Sequence, residues 1–314
     1  MITSRSNFLI KLIRSLSDKA ARDEHSLFVA EGVKTVKEAL ASGFSVERVA
    51  ATVKGFSLLA SAAPGFCRLK ISTDGATCAE KRDSKTELYT GENTGEKASE
   101  SAGVKKTAKI VVKTDGRAAS EPEFIVNSAD GTAVKTELLS DDVFHTVSGE
   151  NSPQGVLALV RKPQNADALP KGSCVFLDGL QDPSNVGAII RTAAAAGYDG
   201  VLLADCADAY NPKAVRASMG GIFKVKLFVG GRAELLALND KPIIVADMDG
   251  ENAFIPKERG ELCLVIGNEG RGVSEEIRRL ANETVSIPMQ NGMESLNAAV
   301  SAGVLMYALK NRAK

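Results

Sequence analysis

Three short polar clusters, far apart in the chain, carry residue types able to hold and orient a polar ligand. The first is Asp182-Pro183-Ser184-Asn185-Val186-Gly187-Ala188-Ile189-Ile190-Arg191. Pro183 fixes a turn, Asn185 sits near a helix start, and Gly187 lets a backbone or a ligand come close. Arg191 follows Asn185 by six residues, so the two project from neighbouring turns. The second cluster is Gly267-Asn268-Glu269-Gly270-Arg271-Gly272, three glycines around one acid, a pattern suited to a backbone that wraps a ligand. Its order is not GxGxxG, so the usual dinucleotide fingerprint is absent. The third runs from Ile287-Pro288-Met289 through Gln290-Asn291-Gly292-Met293 to Glu294-Ser295-Leu296-Asn297. Plainer readings stand beside these: a capped helix with a surface arginine, a glycine-rich turn, and a terminal helix docked on a sheet.

The elements around the clusters give them a common location. Apolar runs at Cys174–Leu177, Val201–Ala204, Val225–Val229, Ile243–Ala246, Leu262–Ile266 and Thr284–Ile287 read as strands. Helical patterns fall between them, at about Val186–Ala196, Lys213–Met219, Arg232–Leu238 and Glu275–Leu280, with a last helix over about Leu296–Lys310. Asn211 before Pro212 is a helix start, since Asn caps free amides and Pro suits the first turn. Strands alternating with helices predict a mainly parallel sheet covered on both faces. In such a sheet ligands bind beyond the carboxyl ends of the strands, where all three clusters fall. The last helix carries Ala298, Ala299, Ser301, Ala302 and Gly303, small enough for close packing.

The amino-terminal part is a separate small α/β module. Phe8, Leu9, Leu12, Ile13 and Leu16 recur at helical spacing, Leu27–Val29 reads as a strand, Val33–Leu40 as a helix ending at Gly43, and Glu47–Val53 as a strand. Between the two lies a stretch rich in Lys, Glu, Ser, Thr, Gly and Ala. Within it only Lys109–Lys113 and Glu123–Asn127 resemble strands. It reads as a flexible insertion, because few of its segments bury enough surface to offset the entropy of ordering, ~1–2 kcal/mol per residue. The expected division is therefore 1–73 with 141–160, then 74–140 as the insertion, then 161–314.

Composition limits the chemistry. The 314 residues carry 39 Lys and Arg against 39 Asp and Glu, so any nucleic-acid contact must come from a local basic patch or from shape. The candidate patch is Arg5, Lys11 and Arg14, with Lys19 and Arg22 beside them. The five cysteines are scattered, with no metal-ligand spacing, and read as free thiols; no metal is expected. The two histidines, His25 and His145, lie outside the clusters, and neither a nucleophilic triad nor a P-loop appears. No apolar run reaches membrane-spanning length and the start mixes charges into its apolar residues, so a soluble, cytoplasmic protein is expected.

Taken together, Asp182–Arg191, Val265–Ser274 and Ile287–Asn297 resemble, in order and spacing, the signature of the SpoU/TrmH family of RNA 2′-O-methyltransferases in the SPOUT superfamily. The resemblance covers about Leu157 to Leu309. Ser4-Arg5, Asn7, Lys11, Phe28 and Glu31-Gly32 fit the opening pattern of the family's substrate-binding domain, which is similar to a ribosomal-protein RNA-binding fold. The 74–140 stretch departs from the family pattern. The resemblance implies an α/β fold with a carboxyl-terminal trefoil knot, a homodimer, and transfer of a methyl group from S-adenosylmethionine to a ribose hydroxyl of a structured RNA, ribosomal RNA before transfer RNA. It implies cofactor contacts at Ala246, Gly267, Asn268, Glu269, Gly270, Ile287, Met289 and Leu296. It also implies a catalytic set of Arg191, Asn185, Glu269, Ser295 and Asn297. A guanidinium keeps its proton and is a poor base, so Arg191 reads more easily as a holder of phosphate and of developing negative charge. A non-catalytic RNA-binding protein that kept the fold is the main competing reading, and an oxidoreductase or a base methyltransferase are weaker ones.

Overall fold

The computed structural model describes residues 1–70, 88–91, 109–114, 117–118, 123–165, 168–169 and 171–310. Contacts divide the chain into two compact units, residues 1–15 with 30–161 and residues 16–29 with 162–314. The chain starts in the first unit with helix α1 (Phe8–Ser15), whose Leu9, Ile10 and Ile13 are buried. It enters the second unit as α2 (Lys19–His25) and returns to the first along strand β1 (Leu27–Glu31). Lys19 and Arg22, read as lying beside the Arg5, Lys11 and Arg14 patch, thus belong to a separate helix. Asp18 caps a new helix by accepting from the Ala20 amide, and Ser26 ends it in the left-handed region.

The first unit continues through α3 (Val33–Ala41), β2 (Val46–Ala51), α4 (Val53–Ala62) and β3 (Cys67–Lys70). Strands β4 (Leu88–Gly91), β5 (Lys109–Thr114) and β6 (Arg117–Ala118) pair antiparallel in a sheet of their own. Then come β7 (Glu123–Asn127), β8 (Ala133–Leu138), the short α5 (Asp141–His145) and β9 (Val156–Arg161). The main sheet has the order β1-β9-β2-β8-β7-β3. This corrects the expected 74–140 insertion at its carboxyl end. β8 runs parallel to β2, β7 joins β8 to β3, and Val126 and Val134 are buried. Glu123–Asn127 already read as strand-like, but averaging composition over a long polar stretch hid β8, and with it the place of both strands in the main sheet. Most of residues 74–122 lie outside the described residues.

The second unit alternates strand and helix: β10 (Cys174–Asp178), α6 (Pro183–Ala196), β11 (Gly200–Ala204), α7 (Pro212–Ser218), one 3-10 turn at Gly221–Phe223, β12 (Lys226–Gly230), α8 (Arg232–Leu238), β13 (Ile243–Asn252), β14 (Cys263–Gly267), α9 (Glu275–Arg279), β15 (Glu283–Ser286) and α10 (Ala298–Leu309). Its sheet order is β12-β11-β10-β14-β13-β15, and every pair is parallel. Cys174, Phe176, Leu202, Phe228 and Val265 pack with Leu235 of α8 and Ile277 of α9 on one face. The alternate residues Val175, Leu177, Leu203 and Ile266 are equally buried, so both faces are covered, as continuous apolar strands require. β10 is central: the chain builds outward to β11 and β12 on one side and to β14, β13 and β15 on the other. The crevice between the ends of β10 and β14 is therefore the topological switch point. Among the described residues no helix is long and apolar enough to cross a membrane.

Candidate active site

Three of the five expected catalytic residues meet in one hydrogen-bonded chain. Asn297 caps α10, its Oδ1 accepting from the amides of Ala299 at 2.9 Å and Val300 at 3.3 Å. With its oxygen so committed, its Nδ2 donates to Asn185 Oδ1 at 3.0 Å. Asn185 then has only its own Nδ2 to give, and donates it to Glu269 Oε1 at 2.9 Å. The donor–acceptor polarity passes from the free amides of a helix start, through two carboxamides, to a carboxylate that only accepts. Asn185 is buried in the first turn of α6, which Asp182 caps and Pro183 opens.

Arg191 and Ser295 stand outside that chain. Arg191 lies on α6 about 9 Å beyond Asn185 and about 120° round the axis, by helix geometry. Its side chain is exposed and has no partner among the described residues. Ser295 is exposed in the loop before α10, also with no partner among the described residues. The two residues stand on neighbouring turns of α6 but on different sides of it: Asn185 is buried in the hydrogen-bonded chain and Arg191 faces solvent.

The glycine loop is closed by its own backbone. The Asn268 amide donates to Gly272 O at 3.0 Å and the Gly272 amide to Asn268 O at 2.9 Å, while Asn268 Oδ1 accepts from the amides of Gly270 and Arg271. A side chain on Gly267 would lie 2.3 Å from the Gly272 carbonyl carbon, so that glycine serves the loop's closure. A Cβ on Gly270 would meet only Asn268 Oδ1, at 3.8 Å, leaving open space over that part of the loop. Gly187 likewise serves a protein backbone: its Cβ would sit 2.2 Å from the Ala214 carbonyl oxygen of α7. Of the other expected cofactor residues, Ala246 is half-buried just before a register shift in β13, Ile287 and Met289 are half-buried after β15, and Leu296 is exposed.

Sequence reading missed a second group at the switch point. A cavity of about 660 Å³ is lined by Asp178, Gln181, Asp205, Arg232, Asn268, Arg271 and Ser274, among others. Asp178 ends the otherwise apolar β10 and is 2% exposed. Its carboxylate accepts from Arg232 Nε at 2.7 Å and from the Ser274 amide at 2.7 Å. That hydrogen bond, and the charge behind it, raises the affinity of Arg232 for its proton. Burial pushes the nearby Cys206 thiol up to about 11. An acid closing a strand of Cys, Val, Phe and Leu was the available signal.

The expected RNA-binding residues divide. Arg5, Lys11 and Arg14 are exposed, and Arg14 Nε donates to Thr146 O at 3.2 Å. Arg22, placed beside them in the sequence reading, is not available to a phosphate. It is 1% exposed, pairs with Asp208 at 2.7 Å, and donates to the carbonyls of Leu16 and Ser17.

Comparison with known proteins gives three kinds of match. The family model of the SpoU rRNA Methylase family matches residues 172–307, and that of the MRM3-like substrate binding domain matches residues 7–74. A 23S rRNA (guanosine(2553)-2′-O)-methyltransferase of Bacillus subtilis is 32% identical over 239 residues, covering 74% of this chain and 92% of that protein. A 23S rRNA (adenosine(1067)-2′-O)-methyltransferase of Streptomyces laurentii is 31% identical over 210 residues, covering 61% of this chain and 75% of that protein. The crystal structure of an AdoMet-bound rRNA methyltransferase from Sinorhizobium meliloti shares the fold, with a TM-score of 0.67 at 20% identity, over 98% of this chain and 96% of that one.

Proposed function

Because the chain belongs to the SpoU/TrmH family of RNA 2′-O-methyltransferases, we propose that it methylates a ribose 2′-hydroxyl of ribosomal RNA with S-adenosylmethionine as donor. The observation that carries this reading is the chain of hydrogen bonds from Asn297 through Asn185 to Glu269, which ties the three signature segments into one site.

The residues present suit the cofactor. The half-buried Ala246, Ile287 and Met289 offer apolar contact, and the open approach over Gly270 leaves backbone groups within reach of polar atoms. When bound, the cofactor supplies an electrophilic methyl group on a sulfonium. The protein must then bring a ribose oxygen in line and let its proton leave. Asn185 and Asn297 hold Glu269 in one orientation, so the loop it sits on keeps its shape while substrate enters. Arg191, solvent-facing and unpaired among the described residues, is the group to hold an RNA phosphate and to stabilise negative charge growing on the ribose oxygen. Ser295, at the neck of α10, is placed to contact the ribose.

The same reading assigns RNA docking to the amino-terminal module, with Arg5, Lys11 and Arg14 meeting phosphates, and methyl transfer to the carboxyl-terminal domain. It includes a trefoil knot in the carboxyl-terminal segment. α10 begins with the small residues Ala298, Ala299, Ser301, Ala302 and Gly303, which suit close packing there. It includes a homodimer. α10 is apolar around its whole circumference, and Val300 and Tyr307, two turns apart, remain exposed at 51% and 48%. The cytoplasm is the expected place of work. Incubation with S-adenosylmethionine carrying a labelled methyl group tests the reading. Label should enter deproteinised ribosomal RNA in preference to transfer RNA and be recovered as a 2′-O-methyl nucleoside. Label on a base, or none on ribosomal RNA, overturns it.

A further inference from the structure

The cavity between the ends of β10, β11 and β14 plays no part in the chemistry above, yet it occupies the switch point of the sheet, where open α/β sheets bind ligands. Its volume, about 660 Å³, lies inside the ~300–1,000 Å³ range of small-molecule sites. One of its groups is unfinished. Ser274 caps α9 without using its side chain, and its Oγ is buried with no partner among the described residues. Buried hydroxyls are paired as a rule, so this one awaits a partner from outside the protein.

The charges in the cavity say what kind of partner. Asp178 and Asp205 carry two negative charges, Arg232 and Arg271 two positive ones, and Arg232 is already held by both acids. A phosphate would gain one guanidinium without a partner among the described residues, Arg271, and face an exposed carboxylate, Asp205. A neutral ring with both donor and acceptor edges would use both, and could satisfy Ser274 as well. Nucleobases are such rings, and proteins read unstacked RNA bases by hydrogen bonds to those edges. Position completes the argument. Asn268 lines the cavity, its Nδ2 donating to Gly179 O at 2.8 Å, while the next residue, Glu269, belongs to the Asn185–Asn297 chain. Successive Cα atoms are ~3.8 Å apart, so the cavity and the Asn297–Asn185–Glu269 chain share one peptide.

We propose that this cavity receives the unstacked base of a nucleotide adjoining the one that is methylated, read by Arg271, Asp205 and Ser274. The proposal rests on the RNA methyltransferase reading. The test measures binding of deproteinised ribosomal RNA by the full chain across a salt series, with calorimetry of S-adenosylmethionine alongside. Arg271→Ala should lower RNA affinity about tenfold at every salt concentration while leaving the slope of log affinity against log salt unchanged, since a base contact releases no counterion. Asp205→Asn, which keeps size, should weaken RNA binding in the same way. Arg279→Ala, the loss of an equal charge on the exposed side of α9, should change affinity less than twofold, and none of the three should alter cofactor binding. A slope reduced by about one unit in Arg271→Ala would show a phosphate contact and overturn the base assignment. RNA affinity unchanged in both cavity variants, with the wild type binding normally, overturns the proposal and leaves the function standing. A wild type that binds cofactor but no ribosomal RNA overturns both.

Discussion

Asn297 does two jobs with one side chain, and the two can be separated by substitution. Asn297→Asp keeps an oxygen to cap α10 but has no N–H to give Asn185. Its melting temperature should stay near that of the wild type while methyl transfer falls at least tenfold. Asn297→Ala removes both jobs and should also lose about 1 kcal/mol of stability with the cap. An Asp variant with full activity would show that the Asn185 contact is idle. For Arg191, replacement by Ala should abolish methyl transfer without changing the melting temperature or the affinity for S-adenosylmethionine, because the side chain is exposed and pairs with nothing described. Arg191→Lys should fail as well, lacking the planar two-pronged contact. Unchanged turnover in either variant removes Arg191 from the mechanism. The identities of Asn185, Glu269 and Asn297 were legible from their motifs, but not the bond order among them. That order follows from the helix start that claims the Asn297 oxygen, a fact of tertiary structure. Gly187 and Gly267 were legible as sites of close approach, but sequence alone did not say that the approaching group is the protein's own backbone.

At the scale of elements, the parallel strands of the second unit were readable because both of their faces are buried, giving unbroken apolar runs such as Cys174–Leu177. β8 was harder, although the range of β7, Glu123–Asn127, already read as a strand. β8, with sequence AVKTEL, buries Val134 and leaves its Lys and Glu partly exposed, so its composition matches the polar stretch around it. α2, with sequence KAARDEH, shows no apolar face because its buried residue is Arg22. Replacing residues 73–140 by a short Gly/Ser linker should therefore abolish cooperative unfolding of the first unit, since it removes two strands from the interior of the sheet order and leaves β3 without its partner. A single sharp urea transition in circular dichroism, unchanged from wild type, would contradict this. α1 carries a different prediction. Neutralising Arg5, Lys11 and Arg14 together should weaken RNA binding and flatten its salt dependence by about one unit of slope per lost phosphate contact, with cofactor binding unchanged. Normal binding across a salt series would show that α1 presents only a solvated face.

For the molecule as a whole, buried thiols set a limit on the alkaline side. Burial pushes Cys67 in the first unit and Cys206 in the second up to about 11, from an ordinary 9.0. The folded chain keeps those protons while the unfolded chain releases them near pH 9. The stabilisation is thus complete below pH 9 and is lost as pH rises from there to about 11. Melting temperature should fall over that window, and fall less in a Cys67→Ala, Cys206→Ala double variant; equal falls would assign the loss to other groups. The segment 16–29 has a consequence of another kind, because it belongs to the second unit although the first unit precedes and follows it. Arg22 and Asp208 are 186 residues apart. A ribosome adding ~5–20 residues per second makes Asp208 roughly 10–40 s after Arg22. During synthesis this stretch must remain open, its guanidinium in water, while the sheet of the first unit assembles around its two ends. Phe28, which packs 4.9 Å from the Tyr210 ring, waits equally long for cover. The nascent chain therefore offers this early segment to chaperones and proteases until Asp208 and Tyr210, two thirds of the way along its 314 residues, have emerged.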